Sequence, residues 1–302
     1  MSKILAIAEL MRLDKPIGIY LLMWPALLAL VISSGGSFSY QHVLIVIFGS
    51  VLIRSIGCVI NDIWDKDMDG NVERTRTRPI PSKRLSILES WCIFSSLALL
   101  SLYLLSFTNA NTIFVSILFG LLIILYPLTK RFFIGPQLFL GLTFNPTIIV
   151  YAISNELNNP TMIPLYFSLA AMTVAFDSFY GLCDLEDDKK IGINSTPIWW
   201  GSKTLFLITI FQCLAIALLV IVGWEAKLNF LWFAGIVFFT GFYFYQHRLA
   251  SKKEFFLAFK NNHWASLYLL VLSLICYTSV SYTHLRAHET SLHLVCRLLL
   301  EK

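Results

Sequence analysis

Two stretches of the chain space their carboxylates for work on a cation. The first runs from Asn61 to Asp69, and a continuing helix would set Asp62, Asp65 and Asp69 at i, i+3 and i+7 along one face. In the second, Asp177, Tyr180, Asp184 and Asp188 fall at i, i+3, i+7 and i+11, again one helical stripe. Like charges stacked this way repel by a few tenths of a kcal/mol per pair in water, roughly, and by more beside a low-dielectric wall. A cation removes that cost. Hard oxygens with room for water suit Mg²⁺, which is usually held by a few carboxylates together with substrate phosphates. Arg74, Arg76, Arg78, Lys83 and Arg84 follow the first stretch. Metal and Arg or Lys together bind a diphosphate, and Arg78 and Lys83 are the candidate ligands among these.

The elements that must carry these groups are membrane spans. Of the 302 residues, 57% are hydrophobic and 14% charged, against about 25% charged in soluble domains; the mean hydropathy is +0.72. That balance excludes a soluble enzyme, a disordered chain and a nucleic-acid binder. The six cysteines form no CxxC pair and lie mostly in apolar runs, so they read as packing groups, not as disulfides or zinc ligands. Nine apolar segments reach a spanning length of about 20 residues: 17–34, 41–60, 87–107, 112–128, 135–153, 162–182, 204–223, 229–246 and 264–282.

The net charge of +5 matters through its placement. With a cytoplasmic N-terminus, eighteen Lys and Arg fall in the inner loops, and the outer loops before the last span carry Lys227 alone. Both acidic stretches follow spans on that inner side. The expected fold is an all-α polytopic membrane protein, about nine helices around a central cavity opening to the cytoplasmic face. No basic segment with a cleavage site opens the chain, which points to a bacterial inner membrane over a mitochondrial precursor. Asp177 sits within an apolar run, where an ionisable group is costly and a functional candidate. Asn145 and Pro146 are expected to kink the fifth span.

With these residues in view, the chain resembles the intramembrane prenyltransferases of the UbiA type. The NDxxDxxxD of Asn61–Asp69 and the YxxxDxxxD of Tyr180–Asp188 are similar to that family's paired signature. LMRLDKPIGIYLLMWP (10–25), RTRTRPIPS (74–82), YPLTKR (126–131), DDKKIGINST (187–196) and NNHWASL (261–267) resemble its 4-hydroxybenzoate polyprenyltransferase branch. The resemblance implies nine helices around a cavity and transfer of a polyprenyl group from its diphosphate to 4-hydroxybenzoate, ortho to the hydroxyl, in ubiquinone biosynthesis. It implies Mg²⁺ held by Asp62, Asp65, Asp184 and Asp188, with Asn61 and Asp69 in support. Asp177 would orient substrate or receive the ring proton, Tyr180 would contact substrate, and Arg131 would meet the benzoate carboxylate. Pro16 and Gly18 match the opening motif.

Residues 1–282 form the expected membrane domain. The segment 283–302 departs from the family's pattern and reads as non-native or disordered; the i, i+4 pair His284 and His288 lies on its outer side, away from the acidic stretches. Another aromatic acceptor, homogentisate or naphthoate, is the alternative within the family. A cation-coupled transporter is the alternative outside it, though the ionisable groups here gather at one face and not at mid-membrane.

Overall fold

Short polar residues open several helices. The side chains of Ser39, Ser86, Asn109 and Asn229 accept from the backbone N–H of His42, Glu89, Thr112 and Leu231, and Ser86 with Glu89 completes a capping box. Each stands immediately ahead of an apolar run. At other ends the chain turns through left-handed residues, among them Arg12, Lys83, Asn155, Lys227 and Lys253. In each of these turns the N–H of the next residue reaches back five positions, as Leu13 N–H does to the Ala8 carbonyl at 2.9 Å.

The structure, a computed structural model, describes residues 3–66 and 75–300. Among the described residues the helices are α1 (Lys3–Leu10), α2 (Ile17–Ser33), α3 (Tyr40–Trp64), α4 (Ile87–Leu105), α5 (Ala110–Phe132), α6 (Pro136–Thr143), α7 (Thr147–Ile153), α8 (Met162–Cys183), α9 (Leu185–Ile191), α10 (Thr196–Trp200), α11 (Thr204–Glu225), α12 (Phe230–Ser251) and α13 (Phe255–Leu300). The all-α expectation holds, and the protein is an integral membrane protein. Among the described residues six helical runs are long and apolar enough to cross a bilayer: Tyr40–Trp64, Ile87–Leu105, Ala110–Thr129, Pro136–Ile153, Met162–Cys183 and Thr196–Glu225. Every other expected span is also helical, but α2 has only 17 residues and α12 carries Gln246, His247 and Arg248 in its last turns.

α8 is the centre of the bundle. It buries 67% of its most apolar stretch, whereas α4 buries 11% and turns most of its surface to lipid. Around α8 pack α11, α6, α13 and α2, and the main apolar core joins α8, α11, α12 and α13 through Leu165, Leu169, Leu219, Trp232, Phe239 and Leu269. A buried polar chain ties α11, α12 and α13: Gln212 donates to Gln246 at 2.9 Å, and Gln246 donates to Asn261 and Asn262 at 3.1 and 3.2 Å. Such side-chain bonds are the glue available to helices whose surroundings are as apolar as their own surfaces.

The fifth expected span is broken, not merely kinked. α6 ends at Thr143 and α7 begins at Thr147, and the irregular backbone between them survives because Asn145 serves it. Asn145 Nδ2 donates to the Tyr166 carbonyl at 2.7 Å, and Oδ1 accepts from the Thr147 N–H and hydroxyl at 3.2 and 2.7 Å. Inside a membrane protein, non-helical backbone needs such internal partners. Asn145→Leu keeps the volume and removes all three bonds. It should lower stability by about 2–4 kcal/mol, read as a lower thermal midpoint of the purified protein in detergent; an unchanged midpoint would show that the break needs no such support.

Candidate active site

The C-terminal end of α3 delivers the first acidic stretch. Asp62 lies in the last turn of that helix and Asp65 forms its C-cap, with the Asp65 N–H bonded to the Asn61 carbonyl at 2.9 Å. The helix ends at Trp64, so the stripe expected from Asp62 through Asp65 to Asp69 is not continued by α3, and Asp69 lies outside the described residues. Arg131, exposed just beyond the YPL turn of α5, donates to the Trp64 carbonyl at 2.8 Å. A cation at a helix C-terminus is favourable because the last carbonyls carry partial negative charge.

Asp62 is fully buried, with 0% exposure. Arg12 Nη2 donates to both of its oxygens at 2.8 and 2.9 Å, and Arg78 Nη1 donates at 3.1 Å. Arg12 follows α1, and Arg78 stands in the turn before α4. One desolvated carboxylate thus gathers two guanidiniums from two distant parts of the chain. Arg12 does so from the left-handed region, φ 58°, a conformation that disfavours a residue with a Cβ. Beside this group Arg84 donates to Glu9 at 2.5 Å, and that hydrogen bond holds the Glu9 carboxyl below its ordinary range.

The second acidic stretch is divided between two helices. α8 ends at Cys183, Asp184 is the bend (φ −100°, ψ 2°), and α9 restarts at Leu185. Asp177, Tyr180, Asp184 and Asp188 therefore do not form the single stripe expected of them. α9 is closed by Gly192 in the left-handed region, φ 75°. Tyr180 packs its ring 5.0 Å from that of Phe259 and 6.4 Å from that of Phe256, and Phe176 meets Phe259 at 5.9 Å, so α8 and α13 share an aromatic wall.

The two stretches converge on α5. The Tyr126 hydroxyl lies within electrostatic reach of Asp177, Arg54, Asp65 and Asp188, so acids of both stretches stand in its neighbourhood. Among the described residues, no three His, Cys, Asp or Glu side chains are close enough to enclose a metal ion as they stand. Lys83 is not brought to this centre. It is exposed and lines a separate cavity of ≈450 Å³ with Lys3 and Glu89. The larger cavity, ≈810 Å³, is a mixed-charge surface opening lined by Glu9, Asp14, Lys15, Arg76 and Arg84, also outside the acidic pair.

With this geometry in place, the relationship to known proteins can be read. The profile of the UbiA prenyltransferase family matches residues 22–267. The chain belongs to that family. It is 39% identical over 267 residues to the 4-hydroxybenzoate octaprenyltransferase of Shewanella woodyi, covering 87% of this chain and 93% of that protein. To the enzyme of the same name from Alcanivorax borkumensis it is 41% identical over 262 residues, 85% of this chain and 90% of that one. Its fold matches the ligand-free UbiA homologue of Aeropyrum pernix with a TM-score of 0.74 at 19% identity, covering 85% of this chain and 97% of that one. A UbiA homologue of Archaeoglobus fulgidus bound to GPP and Mg²⁺ matches with a TM-score of 0.70 at 15% identity, covering 90% and 99% of the two chains.

Composition and carboxylate spacing pass over three residues that the structure places beside these acids. Arg54 stands in the middle of α3 with its guanidinium carbon 5.3 Å from the Phe144 ring centre, and among the described residues its buried Nε has no hydrogen-bond partner. Its signal was present: a lone arginine in an apolar run is the same anomaly as Asp177. Arg12, outwardly an ordinary topology charge, and Tyr126 carry no comparable signal. The Asp62 group makes a direct prediction. Asp62→Ala leaves two guanidiniums facing each other without their counter-charge and should cost about 3–5 kcal/mol, read by thermal unfolding in detergent. The double variant Asp62→Ala, Arg12→Ala should recover part of that loss; a double variant no more stable than Asp62→Ala would refute the coupling.

Proposed function

We propose that this protein transfers a polyprenyl group from polyprenyl diphosphate to the ring carbon ortho to the hydroxyl of 4-hydroxybenzoate, a step of ubiquinone biosynthesis. The similarity to two 4-hydroxybenzoate octaprenyltransferases over at least 85% of the chain supports the reaction. The observation that carries the site is the convergence of Asp65, Asp177, Asp188 and Arg54 on Tyr126, because it joins a cation-binding set to a cation suited to an anionic acceptor.

On this reading Asp65, Asp184 and Asp188 hold a divalent metal, Mg²⁺, with Asn61 and Asp69 beside them. Their hard oxygens on two helix ends fit an ion that keeps water and takes phosphate oxygens as further ligands. When bound, it neutralises diphosphate charge and so makes the diphosphate a better leaving group. Asp62, already engaged by two guanidiniums, serves the same end differently: it orients Arg12 and Arg78 so that their remaining N–H groups receive the diphosphate. Lys83 supplies positive potential at the approach.

The allylic C–O bond breaks with its electron pair leaving on the diphosphate. The apolar core of α2, α8 and α13 keeps water from the resulting allylic cation, beside the Phe176, Tyr180 and Phe259 rings. The electron-rich ring carbon of the phenol forms the new C–C bond, and its proton passes to the Asp177 carboxylate. Two arginines compete for the acceptor's carboxylate. Arg131 is exposed and occupied by the Trp64 carbonyl, whereas Arg54 has a buried Nε with no partner among the described residues. The geometry favours Arg54 for the carboxylate and gives Arg131 the task of closing the end of α3 next to Asp65.

The nine helical segments are proposed to cross a bacterial inner membrane with the N-terminus and both acidic stretches cytoplasmic. Residues 1–282 are the working unit in this proposal. Membranes containing the protein, a polyprenyl diphosphate and labelled 4-hydroxybenzoate should yield prenylated product with Mg²⁺ and lose it on chelation. Asp65→Ala and Asp184→Ala should each reduce turnover by roughly 100-fold or more. Deleting 283–302 should leave the rate unchanged. Product formed equally well under chelation would overturn the metal assignment, and product only from homogentisate or a naphthoate would replace the acceptor.

A further inference from the structure

Gly18 lies in the first turn of α2, buried, directly under the Arg54 side chain of α3. A β-carbon at Gly18 would overlap Arg54 Nε and stand 2.6 Å from Nη2 and 2.7 Å from Cζ. Nothing else lies nearer to that point than the guanidinium, so the space a side chain would occupy is filled by the charged end of Arg54. On another side the guanidinium carbon is 5.3 Å from the Phe144 ring centre, at the break between α6 and α7. Three features thus define the cradle: a missing side chain, an aromatic ring within cation–π range, and a buried N–H without a partner among the described residues. A desolvated donor without a partner is unfavourable, and a ligand oxygen that accepts from it removes that penalty.

We propose that Gly18 determines acceptor specificity: by lacking a side chain it seats the Arg54 guanidinium where it receives the carboxylate of the aromatic acid. The inference rests on Arg54 being the carboxylate's partner. Gly18 itself touches no reacting atom; it is a positioning residue. The obstruction a β-carbon would create falls on the far end of a flexible side chain and not on backbone, so the fold accommodates alanine while the guanidinium must shift. The helix also gains in propensity from Gly to Ala. Loss should therefore appear in acceptor recognition and not in stability or in donor binding.

The test uses full-length protein in membranes. Gly18→Ala should raise KM for 4-hydroxybenzoate about tenfold or more, the scale of one lost hydrogen bond to a charged group, with KM for polyprenyl diphosphate and the thermal midpoint essentially unchanged. For methyl 4-hydroxybenzoate, which lacks the carboxylate, KM should be the same in the two proteins. Arg54→Gln measured alongside separates the two layers: an unchanged KM for 4-hydroxybenzoate in that variant sinks the Arg54 reading itself. If Arg54→Gln raises KM and Gly18→Ala does not, only the Gly18 proposal falls. The double variant Gly18→Ala, Arg54→Gln should match Arg54→Gln alone, and a further rise would mean that Gly18 acts by another route. A Gly18→Ala protein that fails to fold would also overturn the proposal, which requires the β-carbon to displace the guanidinium alone.

Discussion

A carboxylate without exposed surface, bonded by two guanidiniums, sets the arrangement of the charged end of this helical bundle. Asp62 cannot remain ionised in a low-dielectric wall unless opposite charge meets it. The charge that does so comes from Arg12 and Arg78, which the chain brings from either side of α3. That requirement fixes the end of α1 and the Arg-Pro-Ile-Pro turn against α3, where Leu10, Ile56, Val59, Ile63, Ile80 and Leu85 form a small core of their own. The left-handed Arg12, a residue that would ordinarily yield this position to glycine, is explained by the same need. A glycine would relax the backbone and remove the guanidinium.

Elsewhere the bundle follows the opposite rule, keeping polar atoms few and fully engaged. Asn145 carries the broken backbone between α6 and α7, and the chain of Gln212, Gln246, Asn261 and Asn262 fastens three helices. The second group explains the NNHWASL motif: its asparagines hold α13 in register, and α13 brings Phe256 and Phe259 against Tyr180. The aromatic wall beside the acidic residues therefore depends on side-chain amide hydrogen bonds that join α13 to α12 and α11.

How far the sequence could be read follows from the range of each force. Apolar runs report burial in lipid residue by residue, so the helical segments were legible, and so was the crowding of charge at one end. The spacing rule for carboxylates assumes an unbroken helix. It groups the carboxylates but does not give their setting, because α3 stops at Trp64, α8 stops at Cys183 and α9 starts afresh after Asp184. Nothing in the local sequence announces that Arg12, fifty residues before Asp62, is its partner. Lys83, though close in sequence to Arg78, takes φ 58° after the turn between them and lines a separate cavity with Lys3 and Glu89. Arg54 was hidden by the very logic that finds spans, since one charge scarcely alters the average of an apolar stretch.

Separate placement of the cations explains why such a site can join two anionic reactants. A diphosphate and a benzoate offered to a single cluster of arginines would compete, and the ring would have no fixed relation to the allylic carbon. Here Arg12 and Arg78 are committed to the level of Asp62 near the end of α3, while Arg54 sits two turns deeper on the same helix, between Gly18 and Phe144. A helix of about 1.5 Å rise per residue places Arg54 and Asp62 on the order of 12 Å apart along its axis, enough for a benzoate ring and an allylic carbon to lie between the two anions. In the proposed reaction α3 would set the spacing: its charged end would receive the leaving group and its interior arginine the acceptor, with Tyr126 within electrostatic reach of both Arg54 and Asp177.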